Sequence, residues 1–203
     1  VTGAGKAFCA GVDVADHTAD RVESMIRAFA RAVRALLDVE LPVVAAVNGA
    51  ALGGGLELAL ACDIVLARAG AKLGQPEIRL GVFPPAAAAL LPRRVGPQRA
   101  LEMVLTGRTV RAEEAAAMGL VAEALPDDDF DAAVDRYLTQ LTGSSRPVLR
   151  LAKRAVRAGL DRPLSQALEA ADRLYLDDLM ALHDPHEGLA AFMEKREPVW
   201  SDA

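Results

Sequence analysis

Apolar residues first recur at helical spacing between positions 20 and 39. Val22, Met25, Ile26, Phe29, Val33, Leu36 and Leu37 fall three or four apart, which predicts an amphipathic helix. The pattern changes at Pro42. Pro42-Val43-Val44-Ala45-Ala46-Val47 is a continuous apolar run bounded by Pro42 and Asn48-Gly49, as in a strand buried on both faces. Gly53-Gly54-Gly55 then leads into a helix start at residues 56–61. Residues 63–67 read as a further strand, and Lys72-Leu73-Gly74 as a short extended segment ending at Pro76-Glu77. Ahead of these, Val1-Thr2-Gly3 reads as the end of a strand and residues 4–7 as a turn. Residues 8–13 form a short apolar segment. From Pro97 onward helices are predicted at 98–105, 112–118, 130–141, 147–158, 164–182 and 185–194. Strands alternating with helices, followed by helices alone, predict an α/β core with a helical C-terminal region.

Composition sharpens this picture. Of 203 residues, 52% are hydrophobic and 25% charged, enough for a sizeable core, and only 4% are aromatic. The core must therefore be built mostly from Ala, Val and Leu, with close packing on small residues. The net charge of −5 argues against a general nucleic-acid-binding role, which needs a basic footprint. A small anionic ligand stays open, because a local basic cluster can serve one. Cys9 and Cys62 have no metal-ligand spacing, so no metal site is expected, and a reduced, cytoplasmic setting fits best. No signal peptide is visible. The most apolar stretch, 42–62, contains Asn48, Glu57 and four glycines, which argues against a membrane span.

Five motifs could carry chemistry. Gly3-Ala4-Gly5-Lys6 lacks the third glycine of a dinucleotide fingerprint, since Phe8 stands there, and the spacing and hydroxyl residue of a P-loop; it reads as a tight turn. The run from Asn48 to Glu57 places three glycines between a strand and a helix. Glycines let a ligand approach the backbone, and free N–H groups at the helix start favour negative charge. Such donors can hold an oxyanion; tight helix–strand packing explains the glycines equally well on local pattern. Glu57, flanked by Leu56 and Leu58, and Glu77, after Pro76, form a candidate carboxylate pair. Apolar surroundings raise a carboxyl pKa, and two such groups facing one water can divide acid and base roles. Taken singly, each also reads as an ordinary solvated Glu. Gly11 allows an unusual turn that can aim the Val12 N–H into a site, whereas Cys9 has no nearby His and reads as a small buried hydrophobe. Phe192 and Lys195, three apart on a predicted helix face, can grip a base and a phosphate or simply end a solvated helix.

Together these segments resemble the enoyl-CoA hydratase/isomerase (crotonase) family. Ala7-Phe8-Cys9-Ala10-Gly11-Val12-Asp13 is similar to its first signature. Residues 48–63 are similar to its Asn-Gly…Gly-Gly-Gly-x-Glu-Leu-Ala…Cys-Asp run. Gly74-Gln75-Pro76-Glu77-Ile78 with Leu80-Gly81 is similar to its third signature. Leu105-Thr106-Gly107-Arg108, residues 112–121, Glu187-Gly188 and 192–198 extend the likeness over nearly the whole chain. The resemblance implies a spiral of βαβ units at residues 1–140 and a helical trimerisation region at 141–203. It implies an oxyanion hole from the backbone N–H groups of Val12 and Gly54, and catalytic glutamates at Glu57 and Glu77. It further implies that Phe192 and Lys195 reach CoA bound to a neighbouring subunit of a homotrimer or dimer of trimers. The activity implied is hydration of an unsaturated acyl-CoA with no cofactor beyond the CoA of the substrate. The alternatives are enoyl-CoA isomerisation and non-catalytic binding of CoA esters.

Two departures from the family stand out. After Gly81 most relatives carry a glycine-rich stretch; residues 82–92 here read Val-Phe-Pro-Pro-Ala-Ala-Ala-Ala-Leu-Leu-Pro, taken as a loop bordering the acyl pocket. That stretch looks like alicyclic dienoyl-CoA hydratases of aromatic-ring degradation, which implies an alicyclic acyl group. Relatives also carry a β-rich section before the equivalent of Val1, which supplies strands and part of the CoA pocket; the N-terminal strands are expected to be missing here, either because the chain is a fragment or because those strands are absent.

Overall fold

The chain feeds two sheets by turns, as a computed structural model describing residues 1–203 shows. Strands β1 (Ala7–Cys9), β3 (Ala50–Leu52), β5 (Lys72–Gly74) and β6 (Thr109–Arg111) make one sheet in the order β1-β3-β5-β6. Strands β2 (Val44–Val47), β4 (Ile64–Arg68) and β7 (Glu123–Leu125) make the other in the order β2-β4-β7. From β1 to β5, successive strands alternate between the sheets, which winds the chain as a spiral. All pairings are parallel except β5 with β6. Thr2 adds a parallel bridge to Ala46, as its reading as a strand end suggested.

Residues Val1–Val39 and Val43–Val134 form one compact unit, and Glu40–Pro42 with Asp135–Ala203 a second. In the first, all four residues of β2 are buried, as a strand covered on both faces requires. Its core is aliphatic and small: Val47, Leu56, Leu60, Leu66, Leu73 and Leu91 sit among Ala45, Ala51, Ala59, Ala67, Ala87 and Ala115. The predicted first helix is α1 (Val22–Asp38), although only Val33 on it is fully buried. Helix α2 (Gly54–Ala61) is buried nearly throughout, and α4 (Ala112–Ala117) lies where a helix was predicted.

The stretch 82–92 corrects the sequence reading. It is no loop beyond Pro84, because α3 runs Pro85–Thr106. Pro85 opens that helix where a missing N–H costs nothing, and four alanines follow, the strongest helix formers. Gly96, at φ 76° and ψ 163°, breaks α3 into two arms, and Pro97 starts the second. The predicted helix at 98–105 is only that second arm.

Helix α5 (Phe130–Thr142) carries the chain from the first unit into the second. The second unit is helical: α6 (Arg146–Gly159), α7 (Leu164–Arg173), a π-helical turn at Leu174–Leu179, and α8 (His183–Glu194). The π turn interrupts the single helix predicted over 164–182. The tail after α8 folds back on it. Arg196 forks onto Glu187 at 2.6 and 2.9 Å, and the Trp200 indole N–H donates to the Gly143 carbonyl at 2.7 Å. Val156, Leu160, Leu164, Leu168, Leu176 and Phe192 are exposed, a large apolar area for one small unit. No helix is long and apolar enough to cross a membrane.

Candidate active site

Gly53 links β3 to α2 and carries φ 54° and ψ −127°, a backbone state closed to side-chain-bearing residues without strain. A Cβ there would stand 2.7 Å from Oε1 of Glu77. The missing side chain lets the Glu77 carboxylate lie against the start of α2. That helix begins with no side-chain cap, so its first N–H groups, that of Gly54 among them, have no intrahelical partner. The loop after β1 stands over the same point. A Cβ on Gly11 would lie 3.5 Å from the Gly54 nitrogen, and one on Gly54 would lie 3.1 Å from Cγ2 of Val12. Behind them, Gly55 packs on the backbone of Cys9, where a Cβ would meet the carbonyl oxygen at 2.0 Å. The two glycine-bearing loops of the sequence reading are thus adjacent, with Val12 beside Gly54. Within one run, Gly55 serves tight packing on Cys9 and Gly53 makes room for the Glu77 carboxylate.

Glu57 sits one turn inside α2 and is 3% exposed. Its Oε1 accepts the N–H of Ala87 at 2.7 Å. That donor belongs to the first turn of α3, whose N–H groups have no intrahelical partner. Burial pushes the Glu57 carboxyl up from the ordinary range, and the Ala87 and Ala86 amides partly oppose this. Glu77 lies in a 3-10 turn, Pro76–Leu80, that follows β5. Its carboxyl is also raised, first by burial and further by the negative charge of Glu57; its own amide and His17 pull the other way. Gln75, fully buried, sets the end of its side-chain amide 3.0 and 3.1 Å from the two Glu77 oxygens, and only with its nitrogen turned to that side can it donate to both. The structure therefore brings Glu57, Glu77, Val12 and Gly54 to one place. The negative charge of Glu57 reaches Glu77, which places the two carboxyls in one electrostatic neighbourhood.

A cleft of about 560 Å³ opens beside Val12, with Met25, Ala28 and Phe29 of α1 as its apolar wall. Phe29 reaches Gly54 as well, its ring lying 3.2 Å from the position of a Cβ there. The half-buried apolar face of α1 thus borders the start of α2. Three contributors escaped the sequence reading. Gln75 was visible beside Pro76-Glu77 but carried no signal of direction. The Ala87 amide was hidden in a stretch read as loop. The Phe29 ring was one apolar position among seven on its helix.

In the second unit, Phe192 is 85% exposed near the end of α8. Lys195 does not continue that face, which corrects the sequence reading. It takes a left-handed conformation at φ 55°, and its N–H bonds to the Phe192 carbonyl at 3.3 Å as the chain leaves the helix. The three-residue spacing therefore does not stack the two side chains as it would on a continuing helix.

The profile of the family described as enoyl-CoA hydratase/isomerase matches residues 1–203. The chain is 41% identical over 201 residues to cyclohexa-1,5-dienecarbonyl-CoA hydratase of Thauera aromatica, covering 98% of this chain and 76% of that protein. It is 41% identical over 202 residues to a probable enoyl-CoA hydratase of Rhodobacter capsulatus, covering 98% and 78%. The crystal structure of an enoyl-CoA hydratase from Bacillus anthracis superposes with a TM-score of 0.95 at 36% identity, covering all of this chain and 80% of that one. With the spiral fold and these matches along its whole length, the chain belongs to the enoyl-CoA hydratase/isomerase family.

Proposed function

We propose that this protein is a lyase that adds water across the C=C bond of an unsaturated acyl-CoA. The observation that carries this reading is the pair of buried carboxyls, Glu57 and Glu77, beside the uncapped start of α2. In the proposed reaction the thioester oxygen lies between the N–H groups of Val12 and Gly54. Those donors hold the negative charge that develops when a nucleophile attacks Cβ; one such donor contributes about 2.7–4 kcal/mol to a transition state. Glu57 takes a proton from water as its oxygen bonds to Cβ. Glu77 gives its proton to Cα, and the C=C electron pair forms the new C–H bond. The protons balance when the pair exchanges one through solvent. Two acids favour hydration over isomerisation, for which one base suffices.

The acyl group is proposed to be alicyclic. The likeness to the Thauera aromatica protein supports this, as does the Pro-Pro-Ala opening of α3, whose Ala87 holds Glu57. No cofactor is needed beyond the CoA carried by the substrate. The exposed apolar face of the second unit suits a homotrimer or dimer of trimers, in which Phe192 and Lys195 serve the CoA of a neighbouring subunit. A cytoplasmic setting fits two free cysteines.

The test is turnover of a panel of unsaturated acyl-CoAs, cyclic and linear, in ¹⁸O-labelled water. Label in the product supports hydration, and a shifted double bond without label supports isomerisation. Glu57→Gln and Glu77→Gln should each lower kcat about 10²–10⁴-fold while CoA-ester binding persists. Near-normal turnover in both variants would end the two-carboxylate mechanism.

A further inference from the structure

We propose that Arg94 is a positioning residue for Glu57: it fixes the register of α3 on α2, and with it the Ala87 N–H on the Glu57 carboxylate. This rests on the reading of Glu57 as the base that activates water.

Two contacts tie the helices together, one at each end of α2. At its start, Glu57 Oε1 accepts the Ala87 N–H from the first turn of α3 at 2.7 Å. At its end, the Arg94 guanidinium spreads over three carbonyls. Nη1 donates to Asp63 at 3.1 Å, and Nη2 donates to Leu60 at 3.3 Å and to Cys62 at 2.5 Å. Helix α2 stops at Ala61, so its last carbonyls lack intrahelical partners. A cation placed there also suits the negative end of the helix dipole. Ala87 and Arg94 are seven residues apart on α3, about 10 Å along a helix. The two helices therefore run side by side in the same direction.

The need for the second tie follows from how α3 is broken. Its first arm stops at Gly96, so the second arm does not brace it in line. Ala87 and Leu91, both fully buried, hold the first arm down on the core. Apolar burial has no direction, however, and resists lifting more than sliding. The guanidinium resists sliding, because its planar fork meets acceptors only in a narrow range of positions. Its anchor is fixed in turn. Beyond Asp63 the chain enters β4, and Asp63 Oδ2 accepts the Val43 N–H at 2.7 Å. An axial slip of α3 would reach Glu57 through Ala87, and a misplacement of about 1 Å can cost a reaction about 10²-fold. The preceding residue, Arg93, bonds within α3, its Nη1 donating to the Ala89 carbonyl at 2.8 Å, and serves as the control.

The experiment reads the Ala87 amide proton, whose chemical shift follows the length of its hydrogen bond, in the ¹⁵N-labelled full chain without substrate. Glu57→Ala gives the value with that bond absent. Arg94→Met should move the signal toward the Glu57→Ala value, and kcat per folded molecule should fall roughly 10- to 100-fold with KM unchanged. Arg94→Lys keeps the charge and loses the fork, so it should lie between. Arg93→Met should match wild type. A merely structural Arg94 would lower the melting temperature and leave both the Ala87 amide and kcat per folded molecule at their wild-type values, which would overturn the proposal. An equal shift in Arg93→Met would overturn it as well. If Arg94→Met does not fold, Arg94→Lys decides by the same signal. A moved Ala87 amide in a protein that hydrates no acyl-CoA would remove the proposed function and leave the hold of Arg94 on Glu57 standing.

Discussion

Gln75 sets the end of its side-chain amide 3.0 and 3.1 Å from the two carboxylate oxygens of Glu77, where its nitrogen, turned to that side, can donate to both. Gln75 is wholly buried just after β5, so this amide has no water to turn to. With its nitrogen on that side, its two N–H groups hold both oxygens and fix the rotamer of Glu77. Gln75→Leu keeps the volume and removes both donors. A hydrogen bond to a charged group is worth about 1.5–3 kcal/mol, so kcat should fall roughly 10- to 100-fold with little change in KM. The alkaline limb of the pH–rate profile, where Glu77 loses the proton it donates, should move upward as well. A wild-type profile in Gln75→Leu would mean that Glu77 is held by its own turn alone.

Gly53→Ala tests the turn itself. The backbone strain costs about 1–3 kcal/mol, and the new methyl group would stand 2.7 Å from Glu77 Oε1. Both a lower melting temperature and a displaced Glu77 are expected. Activity should fall further than the loss of folded protein accounts for, as kcat per folded molecule would show. Turnover that tracks the folded fraction alone would separate Gly53 from the chemistry.

Glu57 should cost stability at neutral pH. Its folded carboxyl is raised above the ordinary 4.5 by burial, so the folded state binds the proton more tightly than the unfolded chain. The benefit is full below the unfolded value and is lost as pH rises through the raised one. Glu57→Gln keeps an acceptor for the Ala87 N–H and removes the charge. It should therefore melt higher than wild type at pH 7 and no higher at pH 4, while losing activity. Calorimetry at the two pH values reads the sign. A lower melting temperature at pH 7 would show that the ionised carboxylate stabilises the fold.

Much of this was legible in the sequence, for physical reasons that differ by element. The continuous apolar run ending at Val47 can only be covered on both faces, and it became the fully buried β2. The three glycines before Leu56 mark where backbones meet, and Gly55 against Cys9 is such a contact. The family likeness, and with it the fold, followed from these signatures. What stayed hidden depends on direction or on distant partners. The strand β3, three residues between glycines, has no periodicity to detect. The four alanines after Pro85 are a helix only because Pro84 and Pro85 start one, and their amides gain meaning only when α3 reaches Glu57. Lys195 leaves the helix by a left-handed turn that favours glycine, which a lysine does not announce.

The tail after α8 should detach in acid before the rest of the chain unfolds. Glu187 is held down to about 2, first by the Arg196 guanidinium and then by the Val199 N–H. Asp184, wholly buried, accepts the Ser201 N–H and hydroxyl and the Asp202 N–H. Burial alone would raise its carboxyl, but its hydrogen-bond donors, those of Ser201 among them, pull it well below the usual carboxylate range. Both folded values lie under their unfolded ones, so both contributions are full above about 4.5 and are lost as pH falls toward 2. Trp200, the single tryptophan, reports the docking: its ring packs on Gly188 and its N–H bonds to Gly143. Its emission should shift to the red between pH 4.5 and 2 while helical circular dichroism persists. Glu187→Gln, which loses the charge pair with Arg196, should shift at higher pH, leaving Asp184 as the remaining tie. If emission and helicity instead change together, at one pH in both proteins, the acid sensitivity lies in the whole fold and the two carboxylates do not govern the tail.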